Sequence, residues 1–144
     1  MVRLIGIATI FVVVLLSTSF SACNSEPGEI LVNFLYDWDE AFSQAGTDNK
    51  PIMIDFYTEL CPPCKRLDSN TYTDEELSTY LNSSFVCVKI NSDKSSLSDT
   101  YNIDKVPTIV ITSPSGEEIG RFVGYKSADD YQQEIQDIIS QWEQ

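Results

Sequence analysis

Asp55-Phe56-Tyr57-Thr58-Glu59-Leu60-Cys61-Pro62-Pro63-Cys64-Lys65 decides how this 144-residue chain is read. Pro51 to Tyr57 is nearly continuous apolar sequence, interrupted by Asp55. Such a run fits a strand covered on both faces. The Cys-x-x-Cys that follows opens a helix carrying Leu67. At i and i+3 of one turn the two sulfurs reach bonding distance. Pro62 suits the first turn, where its missing N–H has no helical partner to lose. A helix N-terminus presents partial positive charge and free N–H groups, which stabilise a thiolate. Cys61 is therefore the expected nucleophile. Cys64, one turn deeper, would break the mixed disulfide with a substrate and close an internal one.

Two blander readings compete. The pair could be half of a zinc site, but that needs further Cys or His ligands. The chain has no His, and beyond this pair only Cys87 lies in the domain. No metal is expected. The pair could instead be a structural disulfide, yet so short a loop restrains the unfolded chain little. A carboxylate inside an apolar strand, as at Asp55, is expected to hold its proton to unusually high pH and to titrate near neutrality. The alternative is a strand-end acid that is merely solvated or held in a structural ion pair.

Working outward, Ile30 to Tyr36 reads as a first strand. Trp38, Ala41, Phe42 and Ala45 have helical spacing, with Gly46 as the stop. Thr73-Asp74-Glu75-Glu76 has capping-box spacing, so a helix restarts at Thr73 and carries Leu77 and Leu81. Phe85 to Ile90 is a further buried strand. Cys87 sits in it between Val86 and Val88, as a small core residue or, alternatively, a regulatory thiol. Ser95 to Tyr101 is a short helix at most. Pro107 to Thr112 and Glu118 to Val123 flank a β-turn at Ser113-Pro114-Ser115-Gly116 and form an antiparallel hairpin. Ser127 caps a last helix with Tyr131, Ile135, Ile138, Ile139 and Trp142 on one stripe. The order β-α-β-α-β-α-β-β-α implies an α/β fold: a central mixed sheet, parallel core strands plus a C-terminal antiparallel hairpin, with helices on both faces.

The chain carries 9 basic and 22 acidic side chains, a net charge of −13. Phosphate backbones would repel it, so no nucleic-acid partner is expected. Without His, a Ser-His-Asp triad is excluded. Met1-Val2-Arg3 followed by the apolar run Leu4 to Phe20 has the layout of a secretory signal, cleaved or retained as an anchor. Phe20-Ser21-Ala22-Cys23 resembles a bacterial lipobox. That resemblance implies lipidation of Cys23, which would anchor the chain to a membrane. The alternative is simple cleavage after Ala22. The expected organisation is a signal peptide over 1–22, a polar tether over 23–29 and one domain over 30–144.

The segment from Asp55 to Lys65 resembles the active site of thioredoxin-like proteins. Val106-Pro107-Thr108 resembles that family's cis-proline loop, and Phe122-Val123-Gly124 its last strand and glycine turn. The break around Thr71-Tyr72-Thr73-Asp74 is similar to the C-terminal domain of transmembrane thiol–disulfide interchange reductases. The resemblance spans about Ile30 to Trp142. It implies a thioredoxin fold, with Cys61 attacking, Cys64 resolving, Asp55 moving protons to and from Cys64, and Lys89 paired with Asp55. It implies a cis Pro107, and substrate contacts at Val106, Pro107, Leu60 and Gly124. Leu60 and Tyr57 stand where the family usually has Trp, and Pro62-Pro63 where it has Gly-Pro. No His precedes Cys64, which favours the disulfide form and points to a reductant.

The expected function is therefore an extracytoplasmic, membrane-tethered protein-disulfide reductase without cofactor. Its partners would be disulfide-containing exported proteins and a membrane-linked thiol reductant. The alternatives are a non-catalytic binding or chaperone module, or an oxidase or isomerase using the same pair.

Overall fold

The structure is a computed structural model and describes residues 28–143. The signal segment and Cys23 lie outside the described residues. Among the described residues, no helix is long and apolar enough to cross a membrane.

Five strands form one sheet: β1 (Phe34–Leu35), β2 (Ile52–Tyr57), β3 (Val86–Asn91), β4 (Thr108–Thr112) and β5 (Glu118–Val123). Their order is β1-β3-β2-β4-β5. β3 lies parallel to both β1 and β2, while β4 runs antiparallel to β2 and β5 antiparallel to β4. The helices are α1 (Trp38–Asp48), α2 (Pro62–Arg66), α3 (Glu75–Ser84), α4 (Leu97–Thr100) and α5 (Ala128–Trp142). Between α2 and α3, Leu67–Thr71 forms a π-helical turn.

Period-two alternation in the strands divides the core. Ile52, Ile54 and Phe56 of β2 join Val86, Val88 and Ile90 of β3 beneath Ala41 and Ala45 of α1. Met53 and Cys87 point the other way, toward Leu67, Tyr72, Leu77, Leu81, Tyr131 and Ile135. Asp55 and Lys89, paired in register, share that second face. α5 lies close on β5 at Gly120, where a Cβ would meet Ile138 at 2.9 Å.

Several boundaries differ from the sequence expectation. Only Phe34–Leu35 of the first expected strand pairs with the sheet. The residues before it are held otherwise: the Leu31 N–H donates to the Tyr72 carbonyl, and the Asn82 amide binds both the Asn33 N–H and the Leu31 carbonyl. A side chain thus does the work of a strand partner. α1 passes through Gly46 and stops at Asn49, which adopts the left-handed conformation and donates to the Ala45 carbonyl. Asn tolerates that conformation, and its short side chain made it the less obvious stop. The N-cap of α3 is Asp74, not Thr73: its carboxylate accepts the Leu77 N–H at 2.9 Å. Asp caps at least as well as Thr, and the Thr73 hydroxyl is turned back to the Ser69 carbonyl. In α5, Tyr131 and Ile135 are buried while Trp142 is 49% exposed, so the apolar stripe fades toward the C-terminus.

Candidate active site

The site is built at the C-terminal end of β2. After Tyr57 the chain turns, with the Cys61 N–H donating to the Thr58 carbonyl. Cys61 is extended and serves as N-cap of α2, and Pro62 follows in the first turn. The Cys61 Sγ accepts the Cys64 N–H at 3.2 Å. The helix therefore directs a backbone donor at the first sulfur, not the second. Cys61 and Cys64 form a disulfide with their Cα atoms 5.3 Å apart. Leu60 beside it is 90% exposed.

α2 runs directly into the π-helical turn, and the Tyr72 N–H closes it on the Leu67 carbonyl. That extra width turns Leu67, Thr71 and Tyr72 into the core and brings Asp68 to Lys89. Asp55 is fully buried beneath this segment. Its Oδ2 accepts the Tyr72 hydroxyl at 2.9 Å and lies 3.6 Å from the Lys89 ammonium. Its Oδ1 is buried with no hydrogen-bond partner among the described residues. Neither oxygen is bonded to a sulfur there. Burial pushes the Asp55 carboxyl up to about 6; Lys89 and the Tyr72 hydroxyl pull the other way, and the charge of Asp68 adds to the rise. Desolvation is thus only partly offset by the ion pair.

Lys89 is itself nearly inaccessible. It bridges Asp55 and Asp68. The rings of Tyr57, Phe34 and Tyr72 surround its ammonium at 5.1, 5.4 and 5.5 Å. Burial works against its charge, but the two carboxylates outweigh that and hold its pKa above the ordinary lysine value. A cleft of about 390 Å³ beside it is lined by Tyr36, Trp38, Tyr57, Lys89 and Lys94 among others.

On the other side of β2 lies the loop before β4. The Val106–Pro107 peptide is cis. Pro107 is buried and Val106 half-buried. The Pro107 carbonyl accepts the Gly124 N–H at 2.8 Å. Gly124 has φ 92°, a conformation in which a side chain would be strained. The Arg66 guanidinium stacks 4.0 Å over the Tyr125 ring, and the Thr71 hydroxyl donates to the Lys126 carbonyl at 2.7 Å. These contacts tie the Gly124 loop to the helical segment that begins at the cysteines.

The structure thus joins Cys61 to Cys64, Asp55 to Lys89, and Pro107 to Gly124. Sequence reasoning missed the groups around the buried acid: Tyr72, which donates to it, Tyr131, which contacts the Tyr72 hydroxyl, and Asp68, which shares Lys89. For Asp68 a signal existed, since it lies four residues after Cys64 and so one turn along the same helical face. Tyr72 lies where the helix breaks and carried no readable period. Tyr131 reads as plain core. Cys87 is buried, and burial pushes its thiol up to about 12.

The family model of the thioredoxin-like domain matches residues 38–139. The chain belongs to the thioredoxin-like family. It is 25% identical over 121 residues to the thiol:disulfide interchange protein DsbD of Campylobacter jejuni, covering 82% of this chain and 21% of that protein. The chain therefore spans about a fifth of the length of that relative. A solution structure of a putative disulphide-isomerase from Bacteroides thetaiotaomicron superposes with a TM-score of 0.68 at 27% identity, over 80% of this chain and 97% of that one. A thioredoxin from Thermus thermophilus superposes with a TM-score of 0.65 at 24% identity, over 72% and 85%. The five-stranded mixed sheet with helices on both faces is the thioredoxin fold.

Proposed function

We propose that the protein is a thiol–disulfide oxidoreductase that works outside the cytoplasm as a reductant, tethered to a membrane through a lipidated Cys23. The observation that carries this reading is the Cys61–Cys64 disulfide at the start of α2, with a backbone N–H aimed at the Cys61 sulfur. That donor favours a thiolate at Cys61 over Cys64.

In the proposed reaction the reduced Cys61 thiolate attacks one sulfur of a substrate disulfide. The other substrate sulfur leaves as a thiolate and takes up a proton. Cys64 loses its proton to Asp55 and attacks the Cys61 sulfur of the mixed disulfide; the second substrate sulfur leaves as a thiolate and takes up that proton from Asp55. Two electrons pass to the substrate, and the pair is left as a disulfide. A membrane-linked thiol reductant returns two electrons to the pair and one proton to Cys64, which restores the Cys61 thiolate; its second proton goes to solvent. A carboxyl that titrates at about 6 exchanges protons readily near neutrality. Lys89 would hold the charged form of Asp55. Leu60, Val106, Pro107 and Gly124 would form the rim that receives an extended segment of an exported protein.

A second reading keeps the chemistry and changes its direction: the name of the Bacteroides structure is that of an isomerase. The first test is disulfide reduction by the protein beside Cys61→Ser and Cys64→Ser. The proposal expects turnover only in the parent. Cys61→Ser should be inert, and Cys64→Ser should accumulate mixed disulfide. Equal activity in all three would remove the proposal.

A further inference from the structure

Asp55, Tyr72, Tyr131 and Met53 form a buried chain of polar contacts. The Tyr72 hydroxyl donates to Asp55 Oδ2 at 2.9 Å and lies 3.0 Å from the Tyr131 hydroxyl, which is 3.3 Å from the Met53 sulfur. Tyr72 and Tyr131 are both fully buried. Tyr72 has one proton to give, and a carboxylate is the strongest acceptor within its reach. Tyr131 can then donate to the Tyr72 oxygen. The Met53 thioether, a weak acceptor, competes poorly for that proton.

Two donors, Tyr72 and Lys89, thus act on the same carboxylate oxygen, and Oδ1 is left with no partner among the described residues. A carboxylate held at one oxygen keeps a fixed plane. We propose that Tyr72, seated by Tyr131, is a positioning residue for Asp55: it fixes Oδ2 and leaves Oδ1 as the oxygen that gives and takes the proton. This rests on the reading of Asp55 as the proton-transfer group and adds to it the residue that orients the acid.

The surroundings support a specific effect. Facing this carboxyl are Lys89 from β3, Asp68 and Tyr72 from the segment after α2, and Tyr131 from α5, with the Cys87 thiol of β3 acting on Tyr131. Of these, only Lys89 and Tyr72 bind the carboxylate directly. Lys89 also serves Asp68. Tyr72 is therefore the donor whose loss Asp55 cannot share with another carboxylate.

The test is an NMR titration of the Asp55 side-chain carboxyl in the oxidised protein, which needs no turnover. Tyr72→Phe keeps the ring and its edge contacts with Phe34 and Tyr131, at 4.9 and 5.6 Å between centroids. It removes a bond made to the charged form, so the Asp55 midpoint should rise by about one pH unit, or roughly tenfold in the protonation equilibrium. Tyr131→Phe should move it the same way by less. A Tyr72→Phe midpoint equal to or below the parent's would overturn the inference, as would a larger shift from Tyr131→Phe. A second readout separates the two proposals. The acid limb of disulfide reduction should follow the titration, and Tyr72→Phe should change nothing in an Asp55→Asn background. If the midpoint moves while the rate profile stays put, the positioning of Asp55 stands and its proton-transfer role falls.

Discussion

On the sheet face under α1 and α4, β2 and β3 present Ile52, Ile54, Phe56, Val86, Val88 and Ile90. On the face under α3 and α5 the same two strands present Met53, Asp55, Cys87 and Lys89. Alternation along the strands separates these sets completely. The first face gains from burial of apolar surface, about 1.5–3 kcal/mol for each large side chain. The second takes on a buried acid, a buried ammonium and two buried phenols, each of which needs a partner in a dry environment. Polar groups that can move protons are thus concentrated where the cysteine helix begins, and the opposite face stabilises the sheet that holds them.

Substitutions on the two faces should have separable effects. Cys61→Ser should abolish disulfide exchange entirely, measured as reduction of a protein disulfide, because among the described residues no other cysteine sulfur accepts a helix N–H. Phe56→Ala strikes the apolar face. It should cost about 3–5 kcal/mol in denaturant unfolding and leave the Asp55 midpoint where it was. A shifted midpoint would show that the faces are not independent.

Asp55→Asn acts in the opposite direction. The folded-state pKa of about 6 lies above the ordinary carboxyl value of 3.8. Between those values the folded chain keeps a proton that the unfolded chain has lost. The contribution of this group is therefore fully present below about pH 4 and is lost as pH rises through about 6. Asp55→Asn should remove that slope and make the protein more stable at pH 7, by up to about 3 kcal/mol. It should also slow reduction. Cys87→Ala is the smallest change: about 1 kcal/mol of lost packing, read by thermal unfolding, with turnover unaltered. A loss of activity there would give the third thiol a role.

Much of this arrangement was legible in the chain. The run from Pro51 to Tyr57, the cysteine pair and the Ser113–Gly116 turn each carry a local signal, and each falls where expected. The edges were less legible. Asn82 replaces strand pairing near Leu31, and Asn49 outlasts Gly46 as a helix stop, because side-chain bonds formed across the fold leave no periodic trace. The acid at Asp55 and its lysine were visible as residues. Tyr72 was not visible as its partner, nor Tyr131 as the partner of Tyr72, because a phenol counts as apolar in any pattern until its hydroxyl finds an acceptor.

The most direct measurement is the reduction potential of the Cys61–Cys64 pair, obtained by equilibration against glutathione or dithiothreitol buffers. A protein-disulfide reductant should give a reducing value, about −270 mV, close to that of thioredoxin. A value near about −120 mV, typical of strong periplasmic oxidants, would contradict the reductant reading.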